Sequence, residues 1–169
     1  MQKVRHSIFS NAVKRGEFLE KWGLSTLKLK AGFLAADFAP RDPDRGAAWD
    51  LYVELLTRIT TQPLPVDIGD EKTALDSVFA LFNLTREILR KHGPGCTEFA
   101  KLAIPVLNQI IRPFTAKWHK LSLAGAFQEA SECRAFRAEL AALQPKLRHY
   151  TQALAEMSGV EDLTELETA

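Results

Sequence analysis

Residues 42–62 read DPDRGAAWDLYVELLTRITTQ, and the fold turns on this stretch being one helix. Asp42 can cap a helix, Pro43 suits the first helical position because it has no N–H to leave unpaired, and Pro63 stops the run. Between these marks Trp49, Tyr52, Val53, Leu56 and Ile59 recur at helical spacing. Leu51 and Leu55 form a second row that Arg58 continues. Apolar residues on most of the circumference predict a central helix. Asp50, Glu54 and Arg58 fall four apart on the remaining line, in the order that favours a Glu-to-Arg ion pair.

On the C-terminal side, QPLPVDIGD is a Pro- and Gly-bearing connector, after which Asp70 opens a helix running to about His92. Its face is Leu75, Val78, Phe79, Phe82 and Leu89, and Arg90, Lys91, His92 and then Gly93 are a C-terminal signature. Arg86 stands on that face where an apolar residue is expected. Past the GPG turn at 93–95, Phe99, Leu102, Ala103, Val106, Ile110 and Phe114 predict a helix over Thr97–Lys120, kinked or broken at Pro105 or Pro113. Its other side is a polar stripe of Asn108, Arg112, Thr115 and His119. A last helix begins near Ser131, with Phe136, Leu140, Leu143, Leu147, Tyr150, Leu154 and Met157 stepping alternately by four and three. Pro145 falls off that stripe, toward solvent.

On the N-terminal side, Ile8, Phe9, Ala12 and Val13, then Phe18, Leu19 and Trp22, suit one or two short helices ended by Gly23. The segment Thr26–Phe38, TLKLKAGFLAADF, alternates at Leu27, Leu29, Ala31 and Phe33 but also fits a helix through Leu27, Ala31, Leu34 and Phe38. The Lys28 and Lys30 alternation and Gly32 tip the reading to a short strand or hairpin. The fold class expected is therefore mainly α, a bundle of four or five helices with that strand at Thr26–Phe38. It forms a single helical domain over 1–160, followed by an acidic tail, 161–169, expected to fray. Trp49, Leu56, Phe79, Val106, Leu143 and Leu147 are expected to be buried together in its core.

The chain of 169 residues, 46% hydrophobic and 25% charged, can bury a full core. Its net charge is +1, and the last nine residues hold four acids and no Lys or Arg, so residues 1–160 sum to +5. Seven of the first 30 residues are basic, which suits weak attraction to an acidic partner and falls short of a nucleic-acid footprint. No apolar stretch reaches the roughly 18 residues of a membrane span or forms a secretory leader, so a cytoplasmic protein is expected. There Cys96 and Cys133 would stay thiols.

Catalytic and cofactor signals are weak. Gly93, Pro94 and Gly95 lack the spacing and lysine of a phosphate loop. His92 and Cys96 flank a GPG that cannot be helical, and no second pair completes a metal site. Cys133 near a helix start could have a lowered thiol pKa, yet no base accompanies it. No cofactor, metal or catalytic residue is assigned. The group that stands out is Glu54, Arg58, Arg86, Arg112 and His119, because Arg58 and Arg86 interrupt apolar rows and a buried guanidinium needs an anion. Either Glu54, Asp50 or Asp76 pairs these arginines inside the bundle, or they form a site for a small anionic or nucleotide ligand. Trp22, Trp49 and Trp118 read as core or junction residues, with an exposed aromatic partner groove as the alternative.

The stretches WG at 22–23, AAWDLYVELLTRITTQ from 47, GDEKTALDS from 69 and VLNQIIRPFTAKWH from 106 resemble a family of uncharacterised bacterial proteins associated with defence or conflict gene neighbourhoods. The resemblance covers most of the chain, implies a bacterial cytosolic accessory protein, and carries no functional residue over. Together these readings favour a non-enzymatic interaction module, an adaptor or regulatory subunit of a larger bacterial effector or defence system. Its partner would be a protein; a homodimer stays open and nucleic acid is disfavoured. A sensor of an anionic ligand and an enzyme of unknown class are the alternatives.

Overall fold

In the computed structural model, which describes residues 12–166, every helix or strand assigned is helical. In chain order the elements are α1 (Arg15–Lys21), α2 (Ala31–Ala35), α3 (Asp42–Leu56), α4 (Glu71–His92), α5 (Thr97–Val106), α6 (Arg112–Leu123) and α7 (Ala130–Ser158). The protein is a mainly α bundle, as the spacing predicts. The expectation for Ile8 and Phe9 lies outside the described residues.

The strand expected at Thr26–Phe38 is absent. The segment forms the short helix α2, and the one bridge near it pairs Lys14 with Asp37. A strand needs a neighbour for its backbone groups, and this segment finds a side chain instead. The Lys28 N–H donates to Gln109 Oε1 (2.7 Å), and Gln109 Nε2 returns a bond to the Lys28 carbonyl (3.0 Å).

The stretch that opens the reading is helical only to Leu56. Beyond it, TRITT is rich in β-branched residues whose hydroxyls compete for backbone carbonyls. Thr57 Oγ1 donates to the Val53 carbonyl (2.9 Å), and Thr60 and Thr61 both donate to that of Leu55 (3.3 and 2.8 Å). The connector that follows is pinned by α7. Gln144 Nε2 reaches the Ile59 and Gln62 carbonyls, Arg148 that of Thr61, and Arg137 those of Pro65 and Gly69 while pairing with Glu71 (2.6 Å).

Asp70 caps α4 by accepting from the Thr73 N–H (2.7 Å), and Gly93, at φ 68, ends it in a conformation that favours glycine. At Pro105 and Pro113 the chain stays helical, without a non-helical break. A π-helical turn over Leu107–Ile111 lies between them and joins α5 to α6. Pro145 faces solvent on an unbroken α7.

The core is built on α7, which packs most extensively on α3. Leu140, Leu147, Tyr150, Leu154 and Met157 of α7 are fully buried, and so are Leu51, Tyr52 and Leu55 of α3. Of the six residues expected at the centre, Val106, Leu143 and Leu147 are buried, Leu56 is half-buried, and Trp49 and Phe79 are exposed. For Trp49 the reason is that α3 is apolar all round, so spacing does not say which side faces in. Ala47 and Ala48 decide it: their small side chains let α3 approach its neighbours closely, and the bulky Trp49 and Val53 are turned outward. Of the tail expected to fray, residues 161–166 are described. Tyr52 Oη accepts from the Leu163 N–H (2.6 Å), and Thr164 is buried.

Candidate docking groove

Between α3 and α4 runs a groove of about 510 Å³ lined by Trp49, Asp50, Val53 and Glu54 from one helix and Leu84, Glu87, Ile88 and Lys91 from the other. On each helix the apolar pair and the charged pair both repeat at i and i+4; on α4 Leu84 and Ile88 lie deeper than the exposed Glu87 and Lys91, whereas on α3 Asp50 and Glu54 are the more buried row, and Trp49 and Val53 stand out to solvent beside them. The helices lie antiparallel, since Asp50 meets Lys91 and His92, at the end of α4. Trp49 is 44% and Val53 40% exposed, Leu84 is half-buried, and Ile88 closes the floor at 7%. An aromatic ring beside an aliphatic row, rimmed by polar groups, is the composition of a protein-binding surface.

The charged rows are electrically uneven. Asp50 Oδ2 accepts from Lys91 Nζ (2.9 Å) and faces His92 Nε2 (2.7 Å). Burial pushes the Asp50 carboxyl up, but the hydrogen bonds from His92 and Lys91 and their positive charge outweigh it and leave it below the ordinary value. Glu54 Oε2 accepts both Arg58 Nε (2.9 Å) and Nη2 (2.7 Å). Glu87 is exposed and has no hydrogen-bond or ion-pair partner among the described residues.

The residues singled out in the sequence separate into two places. Glu54 and Arg58 form the expected pair on α3, beside the groove. Arg112 and His119 of α6 meet Phe82 and Phe79 of α4, Arg86 stands exposed on α4, and among the described residues no carboxylate pairs with Arg86 or Arg112. Arg86 donates to Asn83 Oδ1; Arg112 donates to Asn108 Oδ1 (3.0 and 3.2 Å) and lies over the Phe82 ring (4.8 Å). Phe79 meets the His119 ring edge-on at 4.7 Å. Both arginines are exposed, because the row through Phe79 and Arg86 marks the margin of α4 and not its buried face. Asp76, expected as a partner, pairs with Lys72 (2.5 Å).

The buried charges are elsewhere. Arg15, 5% exposed, binds Glu98 through Nη2 (3.0 Å to each oxygen), donates to the Phe33 carbonyl (2.7 Å) and covers the Phe33 ring. Asp44, fully buried, accepts from the Arg41 N–H at the start of its own helix and from the Phe99 N–H in the first turn of α5 (2.9 Å). No local pattern announces the pairing of Arg15 with Glu98 or of Asp44 with the Phe99 N–H, since these partners lie more than 50 residues away along the chain. Both are structural. Burial raises the thiol pKa of Cys96, and of Cys133 as well, so the lowering expected for Cys133 does not occur; its Sγ donates to the Phe127 carbonyl. No group of three or more His, Cys, Asp or Glu among the described residues is arranged to hold a metal, and no helix there is long and apolar enough to cross a membrane.

No protein-family model matches the chain, and comparisons with curated proteins and with solved structures find no match either.

Proposed function

We propose that this protein is a non-enzymatic interaction module, an adaptor or regulatory accessory subunit, and that it receives a helical segment of a protein partner in the α3–α4 groove. The carrying observation is that α3 turns Trp49 and Val53 to solvent in a groove they share with Leu84 and Ile88 of α4. Tryptophan is among the residues most often responsible for binding energy between proteins. The bacterial resemblance supports taking the partner to be a larger effector or defence component in the cytoplasm.

A photo-crosslinking amino acid placed at Val53 in the native cell tests this. It should capture one discrete polypeptide, with the crosslink mapping to a helical segment, and the same probe at Leu123, 92% exposed at the C-terminal end of α6, should not. Capture that is equal at both positions, or that persists undiminished when Trp49 is changed to Ala, overturns the reading.

A further inference from the structure

We infer that the segment received by the groove is a basic amphipathic helix; the inference rests on the docking reading and specifies its partner. The argument begins with shape. Both walls are helices, whose backbone groups are already bonded along their own axes, so an extended peptide laid between them would leave its own N–H and C=O groups without partners. A helix brings its backbone satisfied. Its apolar residues at i, i+3 or i+4 and i+7 would match rows in which Trp49 and Val53, and Leu84 and Ile88, each stand about 6 Å apart along the axis.

Charge then selects among helices. The lining carries the carboxylates Asp50, Glu54 and Glu87 against one ammonium, Lys91. The cations nearby are already engaged, and each uses a single oxygen: Lys91 and His92 both meet Oδ2 of Asp50, and Arg58 meets Oε2 of Glu54. Oδ1 of Asp50, Oε1 of Glu54 and both oxygens of Glu87 remain as acceptors among the described hydrogen bonds. Lysines or arginines flanking an apolar stripe would satisfy them with charge-assisted bonds. A second copy of this chain is a poorer occupant, because face-to-face pairing would set these carboxylates against one another.

Two synthetic 18-residue peptides decide it, sharing one leucine stripe and equal helicity, one flanked by Lys and Arg and the other by Glu. They are titrated into the whole chain by calorimetry at low and physiological salt. The basic peptide should bind at least tenfold more tightly, weaken with salt, lose about tenfold or more on Glu87→Lys, and fail to bind Trp49→Ala, whose folding is checked by circular dichroism. Equal binding of both peptides, with both lost in Trp49→Ala, overturns the basic preference and leaves the docking reading standing. Binding of neither peptide, or basic-peptide binding unchanged in Trp49→Ala, overturns the docking reading itself.

Discussion

Arg15 and Glu98 place a guanidinium and a carboxylate inside the protein with their hydrogen-bonding capacity met on both sides. Removing Arg15 leaves Glu98, largely shielded from water, with Lys101 as its remaining cation, so Arg15→Met should destabilise by about 2–4 kcal/mol in chemical denaturation. Arg86→Met should change stability by no more than about 0.5 kcal/mol, because that side chain is exposed and its described hydrogen bond is to Asn83 of its own helix. Asp50 gives a pH dependence with a definite sign. Its carboxyl is lowered by the fold, so the ionised form stabilises the native state; that contribution is complete above the ordinary value of 3.8 and is lost as pH falls through the depressed one. Asp50→Asn should therefore be less stable than the wild type at neutral pH and converge with it in strong acid, as thermal melts across pH would record.

At the scale of elements, the connector between α3 and α4 is ordered by what α7 lends it. The Arg137 guanidinium alone meets Glu71 and the carbonyls of Pro65 and Gly69, so Arg137→Ala should cost about 1–3 kcal/mol. Amide exchange should then speed up in residues 59–69 while α5 and α6 keep their protection. The π turn at Leu107–Ile111 plays a related part, letting two prolines sit in one continuous helix and keeping Val106 and Ile111 both in the core. Helix boundaries proved readable where capping chemistry is local, as at Asp70 and Gly93. They proved unreadable at Leu56, where threonine hydroxyls compete with the helix for its own carbonyls.

For the whole molecule, the most extensive packing is that of α7 on α3, and Leu147 of α7 is fully buried. Leu147→Ala should lower stability by about 2–5 kcal/mol, through lost contacts and the cavity left behind, and lower the melting temperature accordingly. Trp49→Ala should lower it by about 1 kcal/mol or less, since much of that ring faces solvent. A core residue that stabilises and a surface tryptophan that binds are thus separable by one pair of melts and one binding titration.

The periodicity of α4, α5 and α7 was enough to determine a mainly helical bundle and to put Val106, Leu143 and Leu147 inside it, because an amphipathic helix carries its buried side in its own spacing. The pair Glu54–Arg58 was legible for the same reason, being four residues apart on one helix. The groove was not. On α3 apolar residues circle the axis, so only packing against α7 and α4 decided that Ala47, Ala48, Leu51 and Tyr52 face in and Trp49 and Val53 face out. The buried arginine was misplaced likewise: the interrupted row suggested Arg86, and the tertiary structure buries Arg15, whose partner Glu98 stands far along the chain. Spacing along a helix reports neighbours within a few residues, and the burial of a charge depends on a partner brought from another element.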